Sequence, residues 1–193
     1  MMTRTWKTMA AALPLILAAA CTDAAKAPAE AAMAAAGTAV DSLKGDAAKY
    51  APDAVKSIQA TYATAKDLVA KEDYKGALAA AQDIPAKAKE ALAKAAAAKY
   101  ALMKAWADAG GSVTKMIEAA GSRIAALASA KKLPKGMDKA ALANAKAGLA
   151  SLQSGLAAAT EQFKSGDMSG AIAKANELKG QGMELLHAIG VHE

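Results

Sequence analysis

Reactive side chains are few in this sequence, and their spacing narrows what they could do. One thiol, Cys21, closes an uncharged run from Thr8 to Ala20 that follows Arg4 and Lys7. A single cysteine cannot form an intramolecular disulfide, so covalent modification or an intermolecular bridge is what remains for it. The two histidines, His187 and His192, are five residues apart. Two ligands on one helical face need a spacing of three or four, and no second cysteine or HExxH pattern accompanies them. His187 is expected near the end of the last helix, where an imidazole meets the negative end of the dipole. Glu72 and Asp73 are adjacent carboxylates in an expected turn, where Asp73 reads as a helix cap. Ser154, within Gln153-Ser154-Gly155, lies inside a strongly periodic helix and outside any GxSxG context. No glycine-rich loop has phosphate-cradling spacing, and the carboxylate and Glu-x-x-His set of di-iron bundles is absent. The sequence therefore predicts a non-enzymatic protein without catalytic, metal or cofactor-binding residues.

Cys21 gains meaning from what precedes it. A short basic patch, about a dozen apolar residues including Met9, Leu13, Leu15, Ile16 and Leu17, and small residues at the exit form the layout of a secretory signal; a spanning helix needs about 20 apolar residues. Residues 1–20 are expected to be removed. The segment Leu17-Ala18-Ala19-Ala20-Cys21 resembles the lipobox of bacterial lipoproteins, differing in Ala18 where that family carries Leu, Val or Ile. The resemblance covers this leader alone. It implies that Cys21 is diacylated, becomes the new N-terminus and holds the protein on a membrane. One acyl chain binds marginally, whereas two or more anchor stably. In that family aspartate directly after the cysteine favours the inner membrane. Here Thr22 follows and Asp23 comes one place later, which implies the periplasmic face of the outer membrane.

The remainder is built of poor core material. Removing residues 1–20 takes two basic and no acidic residues, so the formal charge falls from +6 to +4 over 173 residues. Alanine accounts for 59 of 193 residues, aromatics for 4%, and phenylalanine occurs once. Alanine and lysine favour helices, and strand-preferring residues are sparse, so the chain is expected to be all-α and thinly packed. Residues 21–37 carry one large aliphatic side chain, Met33, and read as the lipidated N-terminus and a tether, with a loose helix over 29–36 at most. The bundle is expected over 38–193.

Five helices are expected in that bundle, after a short one within 38–50 and a cap at Asp53. Val55, Ile58, Tyr62, Ala65 and Val69 mark the first, about 53–71. The second, about 74–108, carries Leu78, Ala81, Ala88, Leu92, Ala95, Leu102 and Trp106, with a kink or break at Pro85. Gly110 and Gly111 are expected to stop it and Ser112 to cap the third, striped by Val113, Ile117, Ala120, Ile124 and Leu127. After the loop Lys131-Lys132-Leu133-Pro134-Lys135-Gly136, the fourth spans about 138–164. Leu142, Leu149, Leu156 and Phe163 recur there every seven residues, with Ala145, Leu152 and Ala159 between. The fifth, about 168–189, offers Met168, Ala171, Ala175, Leu178, Leu185 and Ile189. A sustained seven-residue rhythm means near-antiparallel packing.

An internal repeat points the same way. Residues 67–84 align without gaps on 161–178, so that Asp73-Tyr74-Lys75-Gly76-Ala77-Leu78-Ala79 matches Asp167-Met168-Ser169-Gly170-Ala171-Ile172-Ala173. A duplicated helical hairpin is expected, each copy capped by its aspartate. The turn is similar to that of tetratricopeptide hairpins, but the 34-residue period and large first-helix residues of that family are missing, so its peptide groove is not implied.

Trp106, Tyr100 and Met103 are expected to plug the alanine-lined bundle, and the lysines at 87, 89, 94, 99 and 104 to form a solvated cationic face. The best-supported function is a cell-envelope scaffold or binding module, membrane-bound through lipid on Cys21, meeting an anionic envelope component or a protein partner. The alternative is a nucleic-acid-associated protein, since the Lys/Ala/Pro-rich composition resembles linker-histone tails. Interspersed acids, scarce arginine and the export leader argue against nucleic acid as the partner.

Overall fold

A computed structural model describes residues 24–191, and every regular element among them is helical. In chain order these are α1 (Lys26–Asp41), α2 (Asp46–Tyr50), α3 (Pro52–Ala70), α4 (Tyr74–Ala81), α5 (Ile84–Ser129), α6 (Lys139–Lys164) and α7 (Met168–Ala188). The prolines punctuate them as their missing N–H requires. Pro28, Pro52 and Pro85 fall in the first turns of α1, α3 and α5, and Pro134 falls in the loop before α6. Asp73, Asp138 and Asp167 each accept a backbone N–H three residues on, from Gly76, Ala141 and Gly170, at 2.9, 2.7 and 3.0 Å. The expected caps at Asp73 and Asp167 are therefore present. Asp53 does not cap: it is the second residue of α3, behind Pro52.

Two departures from the sequence reading change the architecture. Residues 26–37 are not a tether but most of α1, with Ala29 and Ala36 fully buried. And Gly110 with Gly111 does not stop a helix, because α5 runs unbroken from Ile84 to Ser129. Ser112 accordingly caps nothing; its hydroxyl donates to the Asp108 carbonyl one turn back, as Thr114 does to Gly110. Two helical glycines cost about 1 kcal/mol each, and the next turn outweighs that cost, since Val113 is fully buried against Leu152 and Leu178. The break expected at Pro85 is real: α4 ends at Ala81 and α5 begins at Ile84.

The chain divides into two compact units, to both of which α3 and α5 contribute. One comprises residues 24–42 and 57–87. There α1 lies along α4, and a Cβ added at Gly37 would stand 2.9 Å from the Tyr62 hydroxyl on α3. Its buried side chains are alanines with two isoleucines, Ile58 and Ile84. The other comprises residues 43–56 and 88–191. In it α6 and α7 pack along one another and the second half of α5 completes a three-helix core. Ala120, Ile124 and Leu127 of α5 meet Ala145 of α6 and Leu186 and Ile189 at the end of α7, with Leu133 and Met137 holding the intervening loop against them.

Alanine decides the spacing. Fifteen of the 26 buried hydrophobic residues among the described ones are alanine, which lets helix axes approach towards the short end of the usual range. Two glycines go further: a Cβ at Gly155 on α6 would lie 2.6 Å from Leu178 Cδ2, and one at Gly182 on α7 would lie 2.8 Å from Met116 Sδ. On α6 the regular leucines are not the deepest residues. Ala145, Leu152 and Ala159 are buried, while Leu142, Leu149, Leu156 and Phe163 flank them half-buried.

Candidate functional site

Neither Cys21 with the run before it nor His192 lies within the described residues, so the expected lipidation site and one histidine have no geometry to report. The other residues with polar chemistry resolve into local structure. His187 is in the last turn of α7. Asp73 is a cap, and Glu72 beside it takes a left-handed backbone conformation, φ +59°, that closes the turn. Ser154 is exposed on α6, next to the Gly155 that receives Leu178. Among the described residues no three His, Cys, Asp or Glu side chains converge as metal ligands would, and no helix is long and apolar enough to cross a membrane.

The concave feature with the most defined polar geometry lies where α2, α5 and the α6–α7 turn meet. An open groove of about 620 Å³ has a floor of Ala98, Ala101, Leu102 and Ala105 and a rim of Lys49, Tyr50, Met168 and Ser169. Lys49 Nζ donates to the Gly166 carbonyl at 2.6 Å, and the Tyr50 hydroxyl reaches Met168 Sδ at 3.7 Å. Two ammonium groups flank the Tyr50 ring, Lys49 at 5.6 Å and Lys99 at 5.9 Å from its centroid. Lys99 also pairs with the Asp46 carboxylate at 2.8 Å, and that hydrogen bond holds its ammonium above the usual lysine range. Asp167 on the rim is turned into its cap. Two cations and two carboxylates nearly cancel, so this groove is a clasp fixing α2 to the rest of its unit and not an anion trap. Nothing local in the sequence announces it, because Lys49, Lys99 and Gly166 are remote along the chain.

The outer side of α5 differs from the expectation of aromatic plugs. Trp106 does plug, stacked on Phe163 with ring centroids 4.9 Å apart and planes 15° apart. Tyr100 and Met103 do not: they are 70% and 48% exposed. Leu92, placed on the seam by its spacing, is 37% exposed, and Ala91 takes the buried position. Nor do the five lysines share one face. Lys87 and Lys94 lie on one side of α5, where Lys94 pairs with Glu90 at 2.8 Å; Lys89, Lys99 and Lys104 border the exposed apolar side.

No protein-family model matches this chain, and no characterised protein or solved structure is similar enough to be matched to it.

Proposed function

We propose that this protein is a non-enzymatic lipoprotein of the bacterial cell envelope, a helical scaffold or binding module held on the membrane by lipid at Cys21. One observation carries the reading: Arg4 and Lys7, the uncharged run Thr8–Ala20 with Leu13, Leu15, Ile16 and Leu17, and a sole cysteine at the end of it. A basic start, a short apolar stretch and then small residues is the form of an export signal, and a thiol at the cut suits acylation. By the lipobox resemblance the mature chain begins at Cys21, and Thr22 after it directs the protein to the periplasmic face of the outer membrane.

The helical body is in keeping with this role. Six of its acidic side chains have structural work, Asp73, Asp138 and Asp167 as caps and Glu90, Glu161 and Glu177 in pairs with lysines one turn away. Alanine-lined interfaces make slender, closely spaced rods suited to spacing or docking.

The test is the fate of the precursor. With Cys21→Ser, or with the lipoprotein signal peptidase inhibited, the unprocessed chain accumulates, and the native mature protein fractionates with envelope membranes carrying an acylated N-terminal cysteine by mass spectrometry. An unmodified N-terminus, or recovery of the intact chain in the cytosol with DNA, overturns the reading and favours nucleic-acid association.

A further inference from the structure

The sequence contains few large apolar residues, and most are withdrawn from solvent. Of the four large hydrophobic side chains that stay exposed among the described residues, Leu92, Tyr100 and Met103 are on α5 and only Met183 is elsewhere. The three are not scattered. Leu92, Ala96, Tyr100, Met103 and Ala107 recur at spacings of four, four, three and four, so they form one continuous stripe on the helix. All five are exposed. The stripe lies to one side of the buried face formed by Ala88, Ala91, Ala95 and Ala109 of the same helix and meets it at Leu92, one turn from Ala88 and Ala95.

Its border is basic. Lys89 stands one turn before Leu92 on the stripe, and Lys99 and Lys104 flank it on either side. The acids of residues 88–108 are Glu90 and Asp108. Both fall beyond the Lys104 flank, Glu90 paired there with Lys94. From another element, Asp46 reaches the edge of the stripe at 2.8 Å from Lys99. Lys89 and Lys104 are exposed and, among the described residues, enter no ion pair of that kind. A short apolar stripe with a phenol at its centre and ammonium groups at its edges matches the interface of an anionic bilayer: the ring and thioether enter the headgroup boundary while the lysines meet lipid phosphates.

We propose that the Leu92–Met103 face of α5 is a membrane-contact surface that lays this unit on an anionic lipid bilayer. The proposal rests on the membrane-anchored reading for its setting, since three modest side chains bind weakly alone and gain from an anchor that keeps the bilayer close. Each lysine contributes about fivefold in partitioning to an anionic surface. Attachment through Cys21 then fixes where the protein is, and the face fixes which side it turns to the lipid.

The experiment separates the face from the anchor by removing the anchor. The full chain with Cys21→Ser, which has no other thiol, carries a polarity-sensitive dye at Ala107→Cys on the stripe or, as control, at Lys146→Cys on exposed α6. Vesicles of phosphatidylcholine, with or without phosphatidylglycerol, are the probe. The expected result is a blue shift and shielding from aqueous quencher at position 107 alone, with phosphatidylglycerol present. Lys89→Glu with Lys104→Glu should lower the partition coefficient at least about tenfold, and Tyr100→Ser with Met103→Ser should abolish the shift while helicity is kept. Equal shifts at 107 and 146, a shift with neutral vesicles of the same size, or none at 107 while the chain sediments with vesicles through its leader overturns the proposal. A shift at 107 that grows with protein concentration without vesicles overturns it in favour of self-association. None of these outcomes depends on acylation of Cys21, so the anchor reading stands or falls separately.

Discussion

Glu72 and Gly166 occupy the same place in two copies of one turn, 94 residues apart, and both have left-handed backbone, φ +59° and +94°. The correspondence extends through the surrounding bonds. Asp73 N–H donates to the Leu68 carbonyl and Asp167 N–H to that of Gln162, each at 2.9 Å. Glu72 N–H donates to Val69 and Gly166 N–H to Phe163, each at 3.0 Å. The capping aspartates share φ and ψ within a few degrees, −81° and 74° against −82° and 69°. One copy meets the left-handed requirement with glycine and the other with glutamate, which carries the Cβ penalty.

Glu72→Gly should therefore stabilise the protein by about 1 kcal/mol, and Gly166→Ala should destabilise it by at least as much. At Gly166 an added Cβ also approaches Lys49 Nζ at 2.7 Å, displacing the clasp on α2. Urea denaturation followed by circular dichroism measures both. Equal effects of the same sign would contradict the shared geometry.

The caps give a second pair of tests. Asp73→Ala and Asp167→Ala should each cost about 1 kcal/mol, with the asparagine variants recovering most of it. Gly76→Ala and Gly170→Ala should be destabilising despite alanine's better helix propensity, because the new Cβ would collide with the capping carboxylate in each copy.

Glycines elsewhere in helices should sort by what faces them. Gly111→Ala meets nothing within 4 Å and should gain about 1 kcal/mol of stability. Gly155→Ala meets Leu178, itself 2% exposed, and overpacking of about 1–3 kcal/mol should cancel or reverse that gain. A thermal midpoint raised by Gly111→Ala and unchanged or lowered by Gly155→Ala is the expected observation.

Helix α1 can be distinguished from a spacer by one substitution. Ala36→Leu places three extra carbons in a position with no exposure, where α1 lies along α4, and should destabilise the unit by about 1–3 kcal/mol. A tether would tolerate it.

The pH dependence of two exposed pairs is set by the direction of their shifts. Lys99 is raised by the Asp46 hydrogen bond, so its contribution is complete below the ordinary lysine value and is lost as pH rises through the raised one. Glu90 is lowered by its hydrogen bond to Lys94, so its contribution is complete above the ordinary carboxylate value and is lost as pH falls through the lowered one. The difference in thermal midpoint between Asp46→Asn and native protein should thus vanish in strong alkali as Lys99 loses its charge, and that between Glu90→Gln and native protein should vanish in acid as Glu90 gains its proton. Between these limits each difference should be flat.

How much of the fold is legible in the sequence depends on how local the information is. Helical class comes from alanine and lysine propensity, and the Asp73 and Asp167 caps, the Pro85 break and the Lys131–Gly136 loop come from residues within a turn of each feature. The failures have one cause. Where so many positions are alanine, a helix has little size contrast to show which face is buried, so spacing alone turns Leu92 and Tyr100 inward and gives the small residues of α1 no face at all. Gly110 and Gly111 mislead for the complementary reason, since only the burial of Val113 against α6 and α7 makes continuing the helix favourable.

By itself the sequence determined that this chain is helical, where its turns close, and that a basic and then apolar N-terminal run ends at a lone thiol, because backbone propensity, capping and hydrophobic run length act between near neighbours. Tertiary structure alone decided which alanines touch, that α1 belongs to a core, that Lys49 and Lys99 clasp α2 around Tyr50, and that Leu92, Tyr100 and Met103 remain in solvent. Those outcomes depend on which distant surface fits against a smooth helix, and shape complementarity between remote segments is written in no single one of them.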